Sequence, residues 1–252
     1  MDFIPDAFLV HAGVCYVPGP GQNFGPGQTA VTRLVEGVCA QFPNQSRAIL
    51  RERIFSKRPL TPACEGMIKV VAKRASFLPE IDYVEAFLNA SSDGSRIEVS
   101  PDESMLFDIP NAPKFLSDEK EAATFALSLK TRALLKSVGC VLISSSKEVL
   151  AYAWNTNKEN RAQHAELNLI RSLNAHGLDK IPPSGILLVT LKPCAMCAGQ
   201  IFAAAAENFS TLKIVYLEDD PGPMAQNSVL IKNSDLWTKA GEPDVRLAHF
   251  QI

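Results

Sequence analysis

The chain has 252 residues, of which 46% are hydrophobic and 21% charged, and its formal net charge is −2. That mixture excludes collagenous, coiled-coil and disordered chains, and the length suffices for one large domain or two modest ones without disulfide staples. A near-neutral total gives no general attraction for polyanions, and no apolar run approaches the roughly 20 residues of a membrane span. The opening Met1-Asp2-Phe3-Ile4-Pro5 lacks the basic and apolar regions of a secretory signal, so a cytoplasmic protein with no membrane partner is expected.

In chain order, residues 7–17 are a possible strand. Segment 19–28 repeats Gly-Pro-Gly-Gln, which marks turns; without a Gly-Lys-Ser/Thr it is not a phosphate loop. Residues 29–42, 44–55, 62–75 and 81–90 carry apolar side chains at three- and four-residue spacing, which predicts helices, and 96–99 is a second possible strand. The Ser/Asp/Gly run at 91–95 and the Pro- and Asp-containing run at 101–113 predict a linker. The expected division is therefore a mostly helical accessory domain at 1–113 and a second domain at 114–252.

Charge is uneven along the first part. Between 46 and 74 stand eight basic residues, from Arg47 to Arg74, against Glu52 and Glu65; residues 75–121 hold eleven acidic and three basic ones. The basic stretch is a candidate contact for RNA or another nucleic acid, although such a run is often only a solvated helix surface or a partner for the acidic segment after it.

In the second part, Ser117 is placed to cap a helix running to Val138, with Asp118 and Glu119 in its first turn. Two apolar runs, 140–144 and 149–154, predict a hairpin. A helix at 162–175, a strand at 186–190, a helix at 193–206 and a strand at 212–217 follow, with a short helix at 225–231 and a last strand at 245–250. Alternation of this kind predicts an α/β fold, a mixed sheet with helices on both faces.

Six cysteines in such a chain read as thiols or metal ligands rather than a disulfide framework. Cys15, Cys39, Cys64 and Cys140 stand among apolar neighbours, as buried small hydrophobes do. Cys194 and Cys197 form the only CxxC, and His164-Ala165-Glu166 lies one helix and one strand earlier. Three residues apart on a first helical turn, the two sulfurs share a face and can grip one ion, and Pro193 suits that position because it has no N–H to leave unsatisfied. His164 supplies a third ligand and no fourth His or Cys stands at ligand spacing, so one coordination position stays open, as in a catalytic zinc site. Glu166 is placed to move protons beside that ion. A lone CxxC could also be a redox pair or half of a zinc ribbon. The ribbon needs a second CxxC, and the redox pair gives His164 and Glu166 no role.

His-x-Glu followed by Pro-Cys-x-x-Cys is the zinc deaminase signature. The chain resembles the cytidine deaminase-like superfamily, and within it bacterial tRNA adenosine deaminases and their guanine deaminase relatives. Three further runs carry the likeness: Ala153-Trp154-Asn155, Leu188-Val189-Thr190-Leu191 and Met196-Cys197-Ala198-Gly199. The resemblance spans about 117–231 and implies a five-stranded sheet, Zn2+ on His164, Cys194 and Cys197, Glu166 as proton shuttle, and a base contacted by Asn155 and the Ala165 N–H. It also implies pairing into homodimers. Lys192, where the tRNA enzymes commonly have an acidic residue, and the acidic loop at 218–223 depart from that pattern. The expected activity is hydrolytic deamination of adenine or cytosine within RNA or another nucleic acid. The alternatives are a deaminase of free cytidine, deoxycytidylate or guanine, and a non-catalytic zinc-binding scaffold.

Overall fold

The structure, a computed structural model, describes residues 4–20, 25–92, 94–101, 107–133, 137–157, 160–226, 228–232 and 247–249. It begins with a hairpin of β1 (Ala7–His11) and β2 (Val14–Pro18), whose two-residue turn, Ala12-Gly13, has φ of 51° and 78°, the handedness a tight hairpin requires. Then come α1 (Ala30–Gln41), α2 (Ser46–Ile49), β3 (Arg53–Ser56), α3 (Pro62–Val70), β4 (Arg74–Phe77), α4 (Glu80–Ser92) and β5 (Arg96–Val99). Thr29 caps α1 in a reciprocal box with Thr32, and Thr61 caps α3 ahead of Pro62. The strands form a mixed sheet ordered β4-β3-β1-β2-β5.

The first unit is thus α/β and not mostly helical. The expected helices at 44–55 and 62–75 each divide into a helix and a four-residue strand, α2 with β3 and α3 with β4. A strand of four residues is too short to display its period of two, so apolar positions of β3 merged with the helical spacing before them.

The second unit has α5 (Glu119–Lys130), β6 (Gly139–Ile143), β7 (Val149–Trp154), α6 (Ala165–Ser172), β8 (Ile186–Leu191), α7 (Ala195–Ala205), β9 (Lys213–Glu218), α8 (Val229–Lys232) and β10 (Leu247–His249). Its sheet, ordered β10-β9-β8-β6-β7, is the expected five-stranded mixed one: β6 runs antiparallel to β7 and β8, while β8, β9 and β10 are parallel. Helix α5 is shorter than expected, and Asp118 caps it; Ser117 instead donates through its N–H and hydroxyl to Glu121 at 2.6 and 2.7 Å. Phe107, on the N-terminal side of the expected boundary, is buried in the core of the second unit.

The two units are joined by a continuous apolar layer. Leu34, Val38 and Met67 of the first unit share one buried cluster with Leu167, Met196 and Cys197 of the second. Within it α3 and α7 approach at glycine positions, so that a Cβ on Gly66 would strike the Ala195 carbonyl and one on Gly199 would strike that of Pro62. Beside them the Arg171 guanidinium grips the Glu36 carboxylate with two bonds, of 2.9 and 2.5 Å, and also donates to Gln200 and the Pro26 carbonyl. No helix among the described residues is long and apolar enough to cross a membrane. Gly199→Ala should lower the unfolding free energy by about 1–3 kcal/mol in chemical denaturation, because backbone of another helix must move to admit one methyl group.

Candidate active site

The site is built from two helix beginnings. His164 is the N-cap of α6 and Cys194 the N-cap of α7; both have the extended backbone of a cap, and the His164 side chain makes no capping bond to α6. An N-cap side chain normally accepts from the first turn. Here the imidazole turns away from that duty toward the sulfurs of Cys194 and of Cys197, which lies three residues after the cap of α7. His164 Nδ1 stands 3.7 Å from the Cys194 sulfur and 3.5 Å from that of Cys197, and the two sulfurs are 3.6 Å apart.

These separations test the donor set against zinc. Ligands at Zn–S and Zn–N lengths of about 2.3 and 2.0–2.1 Å in a tetrahedron stand about 3.5–3.8 Å apart. The three atoms fit that spacing, and they form the one potential metal cluster found among the described residues. A hydrogen bond from the Cys197 thiol and the neighbouring His164 ring hold Cys194 well below the usual thiol range despite its burial, whereas burial pushes Cys197 well above it.

Glu166, in the first turn of α6, is 3% exposed and is not one of the clustered donors. Burial pushes its carboxyl up to about 7; charge on Cys194 adds to the rise and His164 opposes it. A carboxyl poised near neutrality beside a metal site can both take and return a proton.

Asn155 follows β7 and is buried; its Oδ1 accepts the Ala165 N–H at 2.6 Å. The two residues expected to touch substrate are thus bonded to each other, and a base that takes the Ala165 N–H must displace Asn155 from it. Asn168 secures the same junction from α6, donating to the Trp154 carbonyl and the Thr156 hydroxyl, both at 2.9 Å.

A cavity of about 340 Å³ opens onto His164, Glu166 and Cys194, with Asn155 on its wall. Around it stand residues that the sequence did not single out: Arg161 and Val138 from the second unit, and Val70 and Val71 from the end of α3. Of the basic stretch, Arg47 reaches this cavity, whereas Lys57, Arg58 and Arg74 are paired with Glu80, Asp6 and Glu52. The acidic loop is largely neutralised, Glu218 by Lys130 and Asp219 by Lys192, and Asp220 lines the cavity.

Fold and site together match what the zinc deaminase signature implies: a five-stranded mixed sheet with His164, Cys194 and Cys197 gathered at the starts of two helices. Residues 131–237 match the family model of the Bd3614-like deaminases. Among solved structures, a tRNA:A34 deaminase, from studies of A-to-I editing at the wobble position of transfer RNA, is 29% identical over 51% of this chain and 98% of its own, with a TM-score of 0.38. A guanine deaminase from Nitrosomonas europaea is 14% identical over 60% of this chain and 89% of its own, with a TM-score of 0.44. A dCMP deaminase from the cyanophage S-TIM5 is 17% identical over 52% and 96%, with a TM-score of 0.37. No curated protein matches the sequence.

Zinc content measured on purified protein should fall from about one ion per chain to near zero in Cys194→Ala and His164→Ala, and stay unchanged in Glu166→Ala, since the acid lies outside the donor cluster.

Proposed function

We propose that the second unit is a zinc-dependent hydrolytic deaminase that exchanges the amine of adenine or cytosine for oxygen in a phosphate-bearing substrate, a base within RNA or another nucleic acid. The observation that carries this reading is a buried, unligated acid beside a three-donor metal cluster that leaves a coordination position open. A zinc ion bound by His164, Cys194 and Cys197 supplies a Lewis acid that makes water nucleophilic near neutral pH.

The protein's own groups do the rest. Glu166 accepts a proton as the water oxygen adds to the ring carbon bearing the amine, and delivers it to the adjacent ring nitrogen. It then relays the second proton of that water to the departing nitrogen, the C–N bond breaks and ammonia leaves, so atoms and charge balance. Asn155 offers an amide that can both donate and accept at a base edge once a base has taken the Ala165 N–H from its Oδ1. Burial of the acid excludes bulk water that would otherwise level its proton affinity.

Phosphate recognition is supported by Arg47 and Arg161 on the cavity wall, two cations against Asp220 at the rim, with Lys192 there already paired with Asp219. A free nucleotide or nucleoside is the second reading, favoured by a volume of about 340 Å³, within the range of small-ligand pockets. A zinc-holding scaffold has no use for an acid buried next to the metal, which argues for an enzyme.

Mass spectrometry of products from free bases, nucleosides, nucleotides and single-stranded RNA tests the assignment. RNA should be deaminated, with turnover reduced about 10²–10⁴-fold in Glu166→Gln, and its binding should weaken with salt and in Arg47→Ala. Turnover confined to free nucleosides, with no salt-sensitive RNA binding, moves the assignment to the second reading; no product from any of them leaves the scaffold.

A further inference from the structure

We propose that the first unit is a second copy of the deaminase core, stripped of its metal site, that serves the catalytic copy as a permanently attached dimer partner. It rests on the deaminase reading of the second unit, and its test is read separately from that reading.

The two units share one topology. Apart from α5, which precedes the hairpin of the second unit alone, each has an antiparallel hairpin, crosses through a helix to a strand antiparallel to the first, and crosses through a second helix to a strand parallel to that one. The order β2-β1-β3-β4 repeats as β7-β6-β8-β9 with the same directions, and only the fifth strand differs, β5 adding beside β2 and β10 beside β9. Register agrees at single residues. Leu9 pairs with Tyr16 and Ile54 in one sheet, and Val141 pairs with Tyr152 and Leu188 in the other. Counting on from Ile54 and Leu188, Ser56-Lys57-Arg58-Pro59 faces Thr190-Leu191-Lys192-Pro193. One extra residue, Leu60, then precedes the cap.

At the helix starts the chemistry is replaced position by position. The caps His164 and Cys194 correspond to Thr29 and Thr61, Cys197 corresponds to Cys64, and Glu166 to Val31. The cluster survives in shape: the Cys64 sulfur lies 3.2 Å from the Thr29 hydroxyl and 3.3 Å from that of Thr61. Both threonines accept from the first turn of their own helices, which the His164 side chain does not do for α6. Without an ion to hold, a cap position is best filled by a residue that caps. A cavity of about 250 Å³ remains, lined by Thr29, Val31, Ser56, Arg58, Thr61 and Cys64, the counterpart of the catalytic one.

The units also meet as the halves of a symmetric dimer do, where residue i touches j and j touches i. Gly66 stands five residues after the Thr61 cap and Gly199 five after the Cys194 cap; each abuts the residue just after the other's cap, Ala195 and Pro62. Glu36 and Arg171 both stand seven residues after their caps, and they are bonded to each other, which places them on the local two-fold axis. The face on which a catalytic copy would receive a second subunit is thereby filled from within, and the degenerate copy completes the active cavity with Arg47, Val70 and Val71.

Restoring the lost ligands tests the correspondence. Thr29→His/Thr61→Cys completes a His/Cys/Cys set with the resident Cys64, and in a Cys194→Ala background zinc content should rise from near zero to about one per chain, falling back when Cys64→Ala is added. Cobalt loading should give the matching thiolate absorption. A folded variant that gains no metal overturns the proposal. If the unsubstituted protein binds no zinc, the deaminase reading fails while the gain in the first unit is still measured. Should the variant not fold, light scattering of the unsubstituted protein decides: a 27.4 kDa particle is expected, and a stable two-chain particle overturns a built-in partner.

Discussion

The close approach of α3 to α7 is the constraint from which the rest of the architecture follows. Two helices can touch backbone to backbone only where a side chain is missing, and Gly66 and Gly199 provide that on each side. Because each glycine meets the first residue of the other helix, the contacts set where the two helices begin, and Cys194 stands at one of those beginnings. A shift along this seam would move the sulfur pair relative to His164, which α6 carries independently on the sheet. The seam also brings Val71 and Arg47 to the cavity, so one packing surface governs both the placement of the donors and the shape of the space in front of them.

The site itself trades local satisfaction for function. A cap whose side chain leaves its helix unbonded forgoes about 1 kcal/mol of ordinary stabilisation, and His164 at the start of α6 does so. Thiols and an imidazole gathered within 4 Å of one another, with a buried acid alongside, would be an unfavourable cluster in a protein selected for stability alone. An ion that draws on all three donors offsets that cost. The bonds from Asn155 and Asn168 hold the β7–α6 junction in place when the cluster itself cannot.

The second unit was legible because its chemistry is written in short, ordered motifs and its elements are long enough to show a period. Pro193 before the sulfur pair marks a helix start, and 139–143, buried on both faces, reads as a continuous apolar strand. The first unit is less legible for the opposite reason. Its β3 and β4 have four residues each, sit directly after helices, and carry arginines at their edges. Cys64 looked like a lone buried thiol because its meaning lies in Thr29 and Thr61, residues with no motif to announce them. Arg47, Val71 and Arg161 carry no local signal either; their place around the cavity with Glu166 is set by tertiary packing.

The Glu36–Arg171 pair has a consequence for the history open to such a chain. Two identical subunits meeting on an axis present the same residue to each other there, so a carboxylate would face a carboxylate and a guanidinium a guanidinium. Fusion into one polypeptide removes that restriction, since each half can change alone. Once opposite charges occupy the crossing point, either half paired with its own likeness would bury a repulsion. The arrangement works as a ratchet: separation back into equal partners is closed off, and the half without catalysis is kept for what its surface supplies to the other.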